Sequence, residues 1–351
     1  MSSASDIVNR KLDHLKIALS DSSQLGNPGF DDYRFIHNAL PEIDFAKIDT
    51  TTTFLGKKVK LPFFISCMTG GIEKGKDLNK NLALAAQRAG IAMGVGSQRV
   101  AIVHPEVRTQ FQVRKYAPTI PLMANVGLVQ LNYGFGLKEL QMCVDMIEAD
   151  ALVVHINPIQ EVIQPEGDRN FENLLPKLEK IVTKLSVPVI AKEVGFGLSE
   201  DVVKRLYDIG VRIFDTAGWG GTNWALVEGL RGKADKNLGE IFSQWGIPTV
   251  ESILQSKRLK EREKVNKIVI LGSGGVRTGV DIAKAIVLGA DMAGIAAPFA
   301  KAGLVSADEV ERLIKRIKTE LTTVMFGVGA DNLLKLRKTK LEKVKLSESG
   351  Y

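Results

Sequence analysis

Cysteine is nearly absent from this chain, with two in 351 residues, Cys67 and Cys143. Two thiols cannot build a disulfide framework, and neither stands at metal-ligand spacing, so a disulfide-stapled scaffold and a cysteine-zinc site are excluded. A reduced compartment, the cytoplasm, is the expected location. No uninterrupted apolar run comes near the ~20 residues of a membrane-spanning helix. The N-terminus carries no apolar signal segment, and no low-complexity tract interrupts the chain. The net charge is +7, but the lysines and arginines are scattered over helical faces and the C-terminal end. Neither nucleic acid nor a membrane is therefore the expected partner. A basic balance instead suits an anionic small substrate, through steering. What is present is 45% hydrophobic and 25% charged, an ordinary globular-enzyme composition.

From Leu61 onward the chain alternates. Short β-prone apolar runs occupy residues 62–66, 91–95, 121–126, 151–156, 187–192, 211–215, 268–271 and 292–298. Helical spacing predicts helices over 74–89, 106–116, 137–147, 171–185, 199–209 and 250–258, with a closing helix over 305–320. A long loop is expected at 162–170 and a polar insertion at 231–239. Parallel strands buried on both faces read as continuous apolar runs, as these do. Eight such units are what a (β/α)8 barrel needs. The expected fold is α/β, a single TIM barrel over 61–330, with an N-terminal extension (1–60) wrapping it and a lysine-rich solvated tail (331–351). A doubly wound open sheet is the competing architecture. Within the extension, 7–20 predicts a short helix carrying Arg10, Lys11 and His14, and 50–53 a β-prone stretch.

The stretch after Ile268 is the most informative. Four β-prone residues run into Gly272, Gly274 and Gly275, and Val280, Ala283, Ile286 and Val287 then recur at helical spacing. Glycines at such a turn let backbone N–H groups approach a ligand, and a helix N-terminus favours negative charge. A phosphate is expected here, with Arg277 adding a donor fork. In a barrel the functional residues close the strands at the C-terminal face. They are Met68, Thr69 and Gly70; Ser97, Gln98 and Arg99; Asn125; His155, Asn157, Gln160 and Glu161; Lys192; Thr216 and Thr222; Gly275 and Arg277; Ala296 and Ala297.

Lys192 closes an apolar strand. It either snorkels to solvent or faces an electron-rich ring or oxyanion. Combined with a phosphate turn, the second reading gives a phosphorylated planar cofactor across the mouth, and flavin mononucleotide (FMN) fits best. His155 and Asn157 share one strand face, and His155 reads either as a hydrogen-bonded core residue or as a base. Glu161, at the start of a loop, is either a solvated carboxylate or a hard-cation ligand, since Mg2+ takes one or two carboxylates plus substrate phosphates. Glu166 and Asp168 compete for that role. Arg10, Lys11 and Ser97 to Arg99, together with Mg2+, would hold a diphosphate.

With these residues laid out, the chain resembles the type 2 isopentenyl-diphosphate isomerases, the FMN-dependent family. The resemblance lies in Arg10-Lys-x-Asp-His14, Ser66-Cys-Met-Thr-Gly-Gly71, Gly94-Val-Gly-Ser-Gln-Arg99, His155-Ile-Asn-Pro-Ile-Gln-Glu161, Gln164-Pro-Glu-Gly-Asp168, Lys192-Glu-Val-Gly195, Gly220-Gly-Thr222 and Gly274-Gly-Val-Arg277. These segments span nearly the whole chain in one order. Trp219 stands where family members vary.

The resemblance implies interconversion of isopentenyl and dimethylallyl diphosphate with reduced FMN and Mg2+, with NADPH as a candidate reductant. It implies FMN contacts at Met68, Thr69, Gly70, Ser97, Asn125, Lys192, Thr222, Gly275, Val276, Arg277, Ala296 and Ala297. Substrate contacts fall on Arg10, Lys11, Ser97, Gln98, Arg99, Asn157 and Gln160, and Mg2+ on Glu161. Gln160, with His155 beside it, is the candidate for catalysis. A homo-oligomer, tetramer or octamer, is implied as well.

Two other readings stand beside this one. An FMN-dependent 2-hydroxy-acid oxidase-like or inosine-monophosphate-dehydrogenase-like barrel shares the late phosphate turn. The oxidases need a His–Arg pair to take the hydroxyl proton and hold the carboxylate, and residues 216–221 contain neither. The dehydrogenase needs a nucleophilic cysteine on a mobile loop, which neither Cys67 nor Cys143 supplies. A non-catalytic flavin-binding protein explains the cofactor donors but not Gln160-Glu161 with Arg10-Lys11.

Overall fold

Eight parallel strands close on themselves in the computed structural model, which describes residues 13–68, 73–231, 235–263 and 268–344. In chain order they are Phe63–Ile65, Ala92–Gly94, Leu122–Gly127, Ala151–Ile156, Val189–Glu193, Ile213–Asp215, Val269–Ser273 and Met292–Ile295. The eighth pairs with the first, which closes a (β/α)8 barrel and excludes the open sheet. Among the described residues no helix is long and apolar enough to cross a membrane.

Alternation along the strands decides what fills the barrel. Phe64, Ala92, Met123, Val153, Ile190, Ile213, Leu271 and Met292 form its dry interior. Two residues further along, the same faces turn polar, with Asn125, His155, Lys192, Asp215 and Ser273. The period of two puts these side chains on the inner face as well, one layer nearer the mouth. The pairing register places His155 beside Lys192 and Lys192 beside Asp215. The barrel is thus an apolar cylinder with a polar layer at its C-terminal end.

Its other end is plugged by the extension. Thr52–Phe54 and Lys57–Val59 form a hairpin whose Phe54 and Val59 join the interior cluster. Phe54 stacks on Phe64 at 6.4 Å between ring centroids. Truncating Phe54 to alanine opens a cavity at the barrel base. It is expected to cost about 3–5 kcal/mol in a denaturant titration.

Several elements depart from the pattern expected of them. A helix over 106–116 does not form; Arg99–Val103 is helical, and Pro105–Gln110 is a 3-10 turn. Pro105 lacks an N–H and biases His104 away from helical geometry, which separates the two. The polar insertion contains a helix, Lys236–Ile241, begun by Asp235, whose Oδ1 accepts from Asn237 N at 2.9 Å. Residues 232–234 lie outside the described residues. The segment expected as a solvated tail holds a helix, Leu333–Arg337, with Leu336 fully buried. It also holds a strand, Leu341–Lys343, that pairs antiparallel with Tyr33–Phe35. Leu333 and Leu336 share one helical face, and that face is what the lysine count concealed.

Candidate active site

The cavity at the barrel mouth is covered on one side by the N-terminal segment. Residues 13–18 are helical, and His14, Leu15, Ala18 and Leu19 line the cavity. The stretch after them, a 3-10 turn at Asp21–Ser23 and a single bridge from Gln24 to Thr222, is fastened to the barrel loops. Asn223 N donates to Ser23 O at 2.8 Å, Val250 N to Pro28 O at 2.9 Å, and Gln24 Nε2 to Thr222 Oγ1 at 2.8 Å. Arg10, Lys11, Thr69 and Gly70, which were expected in the site, lie outside the described residues.

One wall is built from two glycine segments pressed together. Gly274 and Gly275 have φ of +102° and +69°. A Cβ on Gly274 would lie 2.2 Å from Gly218 O, and one on Gly275 2.3 Å from Gly220 O. Only glycine meets both demands. Gly275, Val276, Arg277, Ala296 and Ala297 line this wall.

The anion donors here differ in part from those expected. The helix Gly279–Leu288 is closed at its N-terminus by two carboxylates, one of its own and one from the helix Ala307–Gly327. Asp281 Oδ2 accepts from Arg277 N at 3.0 Å and Thr278 N at 2.9 Å, and Glu320 Oε2 accepts from Gly279 N at 2.7 Å. Those amides are spent. The short helix Ala297–Gly303 has no side-chain cap, which leaves the turn amides, the Ala296–Ala297 backbone and Arg277 as the candidate anion donors of this wall. The Arg277 guanidinium rests on Gly275 O at 2.9 Å and Gly220 O at 3.3 Å, which holds it at the turn.

The floor is the polar layer of the barrel. Lys192 Nζ is 3.4 Å from Asp215 Oδ2 and donates to Glu193 O at 2.9 Å. Asp215 also accepts from Ser273 Oγ. With 7% of Lys192 exposed, this lysine is held inside rather than snorkelling. His155 Nδ1 and Asn125 Oδ1 are 2.9 Å apart. Met68 and Ser97 also line the cavity.

Gln98 does not line the cavity. It is fully buried, its Nε2 donating to Cys143 O at 2.9 Å and its Oε1 accepting from Asn125 N at 2.9 Å. It braces the end of the third strand. Cys67 lines the cavity, but burial pushes its thiol up to about 11, against the pull of Asn125 and Lys192. It is protonated near neutrality and is not a thiolate nucleophile.

The opposite wall comes from the helix Pro158–Ile163, in a stretch that the sequence presented as a loop from residue 162. Pro158 at its first turn loses no needed hydrogen bond. Glu161 therefore lies in a helix, 7% exposed. Its Oε1 accepts from Asn157 Nδ2 at 2.8 Å and its Oε2 from Asp168 N at 2.6 Å. Burial pushes its carboxyl up, and Asp168 adds to this, while the Asp168 and Asn157 donors and Arg99 oppose it. Arg99 Nη1 meets Asp168 Oδ2 at 2.5 Å, and Gln130 Nε2 donates to the same oxygen at 2.9 Å. Asp168 is thus engaged by an arginine, and Glu166 by Arg231 at 2.8 Å.

Gln160 turns the other way, its Nε2 donating to Glu228 Oε1 at 2.9 Å. Glu228 is fully buried and had no place in the sequence reading. His14 Nε2 lies 2.9 Å from the same oxygen. Arg231 Nη1 meets Glu228 Oε2 at 2.6 Å. Burial pushes the Glu228 carboxyl up, but His14, Gln160 and Arg231 together outweigh it and hold it below its ordinary range. His14 packs edge-on against Trp224, 5.3 Å between ring centroids. A single carboxylate in the otherwise apolar helix Trp224–Leu230 was the signal that could have found Glu228.

The arrangement joins a glycine wall, a buried ammonium and a buried carboxylate, Glu161, around one cavity, with a second carboxylate, Glu228, behind Gln160 and His14. Residues 19–115 and 157–343 match the family described as FMN-dependent dehydrogenase. An isopentenyl-diphosphate delta-isomerase of Rickettsia bellii is 48% identical over 337 residues, covering 95% of this chain and 97% of that one. One from Nostoc sp. is 48% identical over 333 residues, covering 94% of each. Among solved structures, an arginine-to-lysine variant of flavocytochrome b2 aligns with a TM-score of 0.70 at 18% identity, over 99% of this chain and 86% of that one. A mandelate oxidase variant with an FMN monooxide adduct aligns at 0.64 and 16% identity, over 93% of each. These two show the shared fold alone. The relatives, at nearly full coverage, show more: the chain belongs to the isopentenyl-diphosphate delta-isomerases of the FMN-dependent dehydrogenase family.

Proposed function

We propose that this enzyme interconverts isopentenyl and dimethylallyl diphosphate by a 1,3-proton shift, with reduced FMN and Mg2+, in isoprenoid biosynthesis. NADPH is the candidate reductant, and a cytoplasmic homo-oligomer, tetramer or octamer, completes the reading. One observation carries it. The single helix Pro158–Ile163 brings Glu161 and Gln160 to the cavity side by side, both accepting from Asn157 Nδ2, with Glu161 also held by Asp168 N and Gln160 by Glu228.

The donor sets fit the groups this reading requires. The glycine wall is closed to any Cβ, as a backbone cradle for a phosphate must be. Asn157 Oδ1 is buried with no hydrogen-bond partner, an acceptor that a bound donor or cation would satisfy. Glu161 gives the one carboxylate that Mg2+ takes beside substrate phosphates, and each of its oxygens keeps a lone pair free.

When bound and reduced, FMN would supply the strong acid and the electron-rich face that an unactivated alkene demands. The residues do the rest. The Gly274–Val276 turn, Arg277, Ala296 and Ala297 would hold the FMN phosphate, and Lys192 would face the oxygens of its ring. Met68, Ser97, Asn125 and Thr222 would border it. Arg99 would grip the substrate diphosphate, and Glu161 its metal. Leu15, Leu19 and Trp224 exclude water from the alkene. Gln160, a neutral amide, is no base; it orients the substrate and connects it to the Glu228 carboxylate. His14 completes that connection. His155, tied to Asn125, positions the floor.

Replacing Glu161 with glutamine is expected to raise the Mg2+ needed for half-maximal turnover by about 10-fold or more. An unchanged Mg2+ titration would reassign the metal. The rival oxidase reading draws on the shared fold, yet Ala217, Gly218 and Gly221 line the cavity after the sixth strand, with neither histidine nor arginine among them. Anaerobic lactate or mandelate should accordingly leave bound flavin oxidised. Bleaching would favour the oxidase.

A further inference from the structure

Lys192 and Glu193 end the fifth strand and face opposite ways. Lys192 enters the cavity, whereas Glu193, 5% exposed, folds back over the loop that follows. A single oxygen, Oε2, accepts from Val194 N and Gly195 N at 2.6 Å, Phe196 N at 2.5 Å and Gly197 N at 3.2 Å. Successive amides converging on one point form an anion nest, a motif that elsewhere takes phosphate. Gly197, at φ +80°, permits the turn. Here the chain's own carboxylate fills the nest.

The same loop is a wall of the cavity. Val194 and Gly195 line it, and a Cβ on Gly195 would lie 2.8 Å from Thr222 O. Gly197 N donates to Ala217 O at 3.2 Å, and Ile247 N to Phe196 O at 2.8 Å. The Lys192 ammonium in turn donates to the Glu193 carbonyl at 2.9 Å. The cavity's buried cation and this wall therefore share one anchor.

We propose that Glu193 is a positioning residue for the flavin: its carboxylate gathers the 194–197 amides and so sets the wall and the Lys192 ammonium against the ring. This rests on the flavin reading above. Burial pushes the Glu193 carboxyl up to about 7, against the pull of the Phe196, Gly195 and Val194 amides and of Lys192. The segments packed on the loop, 216–222 and 246–249, contain no titratable side chain. The helices against Val194 and Phe196 bring Glu161 and Glu228, which are turned to Asn157 and Asp168 and to His14 and Arg231, and Lys236 and Glu240, which pair with each other at 3.6 Å on the exposed side. Glu200, beyond the loop, pairs with Arg262 at 2.6 Å.

The sign of the linkage separates positioning from stability. Glu193 binds its proton more tightly in the folded than in the unfolded chain, so its ionisation costs stability as pH rises from 4.5 to about 7. A neutral Glu193→Gln variant therefore keeps the fold's stability, but it lacks the charged acceptor that draws the four amides together.

The test is FMN fluorescence quenching by wild type and Glu193→Gln at about pH 8.5, with thermal unfolding of the flavin-free proteins. We expect at least ~10-fold weaker FMN binding in the variant, with an unfolding temperature within ~3 °C of wild type. Wild type is also titrated with riboflavin, which has no phosphate to ionise, at about pH 6 and pH 8.5; its affinity should rise several-fold at the higher pH. Should the variant not fold, the riboflavin pair decides alone. Variant affinity equal to wild type, or a flat riboflavin profile, would overturn the proposal. A wild type that binds no FMN would instead overturn the flavin reading itself, and the proposal with it.

Discussion

Glu228→Gln is expected to lower turnover by about 10²–10⁴-fold, the range lost with a positioned acid or base. Glu228 does not border the cavity. It acts through two groups that do, Gln160 and His14, both of which meet its Oε1. Glutamine keeps the shape but removes the charge that holds His14 in place and orients the Gln160 amide. The diphosphate contacts proposed above, Arg99 and Glu161, are held by Asp168 and Asn157 rather than by Glu228, so KM should move by only a few-fold. A matching fall in FMN affinity would show that the change had disturbed the barrel mouth as a whole. The pH dependence adds a second check. Glu228 is held below its ordinary 4.5, so the stability it contributes is complete above that value and is lost only as pH falls through the lower folded one. An inflection in turnover near neutrality that vanished in the variant would contradict this assignment.

Gly275→Ala should nearly abolish FMN binding. The new methyl would stand 2.3 Å from Gly220 O and 3.0 Å from Pro28 Cβ, at φ +69°. Backbone strain of about 1–3 kcal/mol and overpacking of about 1–3 kcal/mol combine to a loss of several kcal/mol in stability. Relief requires the two glycine segments to part, which displaces the amides from the phosphate. A loss of at least ~100-fold in FMN affinity follows if two such contacts go, since each buried charge-assisted contact is worth about 1.5–3 kcal/mol and about 1.4 kcal/mol is tenfold. Gly56→Ala separates strain from collision, because Gly56 has φ +75° with nothing within 4 Å. It should lose about 1 kcal/mol and keep FMN. Unchanged FMN affinity in Gly275→Ala would move the phosphate away from this turn.

The barrel was legible because its strands are short apolar runs ending in polar or small residues, and that pattern needs no long-range knowledge. Lys192 was legible for the same reason, as a charge at the end of an apolar strand. Gln98 misled because adjacency in sequence does not give direction: Ser97 and Arg99 border the cavity, while Gln98 turns into the core beneath them. Glu228 was hidden by distance, since its meaning depends on Gln160 and His14, 68 residues away in the first case. The turn after the seventh strand was readable from its glycines. That the following helix spends its own amides on Asp281 and Glu320 was not, because Glu320 comes from the closing helix Ala307–Gly327. The tail's strand likewise depends on a partner at Tyr33–Phe35.

The central claim is proton-shift chemistry without net oxidation. It is tested most directly by incubating the enzyme anaerobically in D2O with isopentenyl diphosphate, Mg2+ and dithionite-reduced FMN, followed by NMR. We expect deuterium in the dimethylallyl diphosphate formed, and only while the flavin is reduced. A bound, reduced flavin with no conversion would contradict the account.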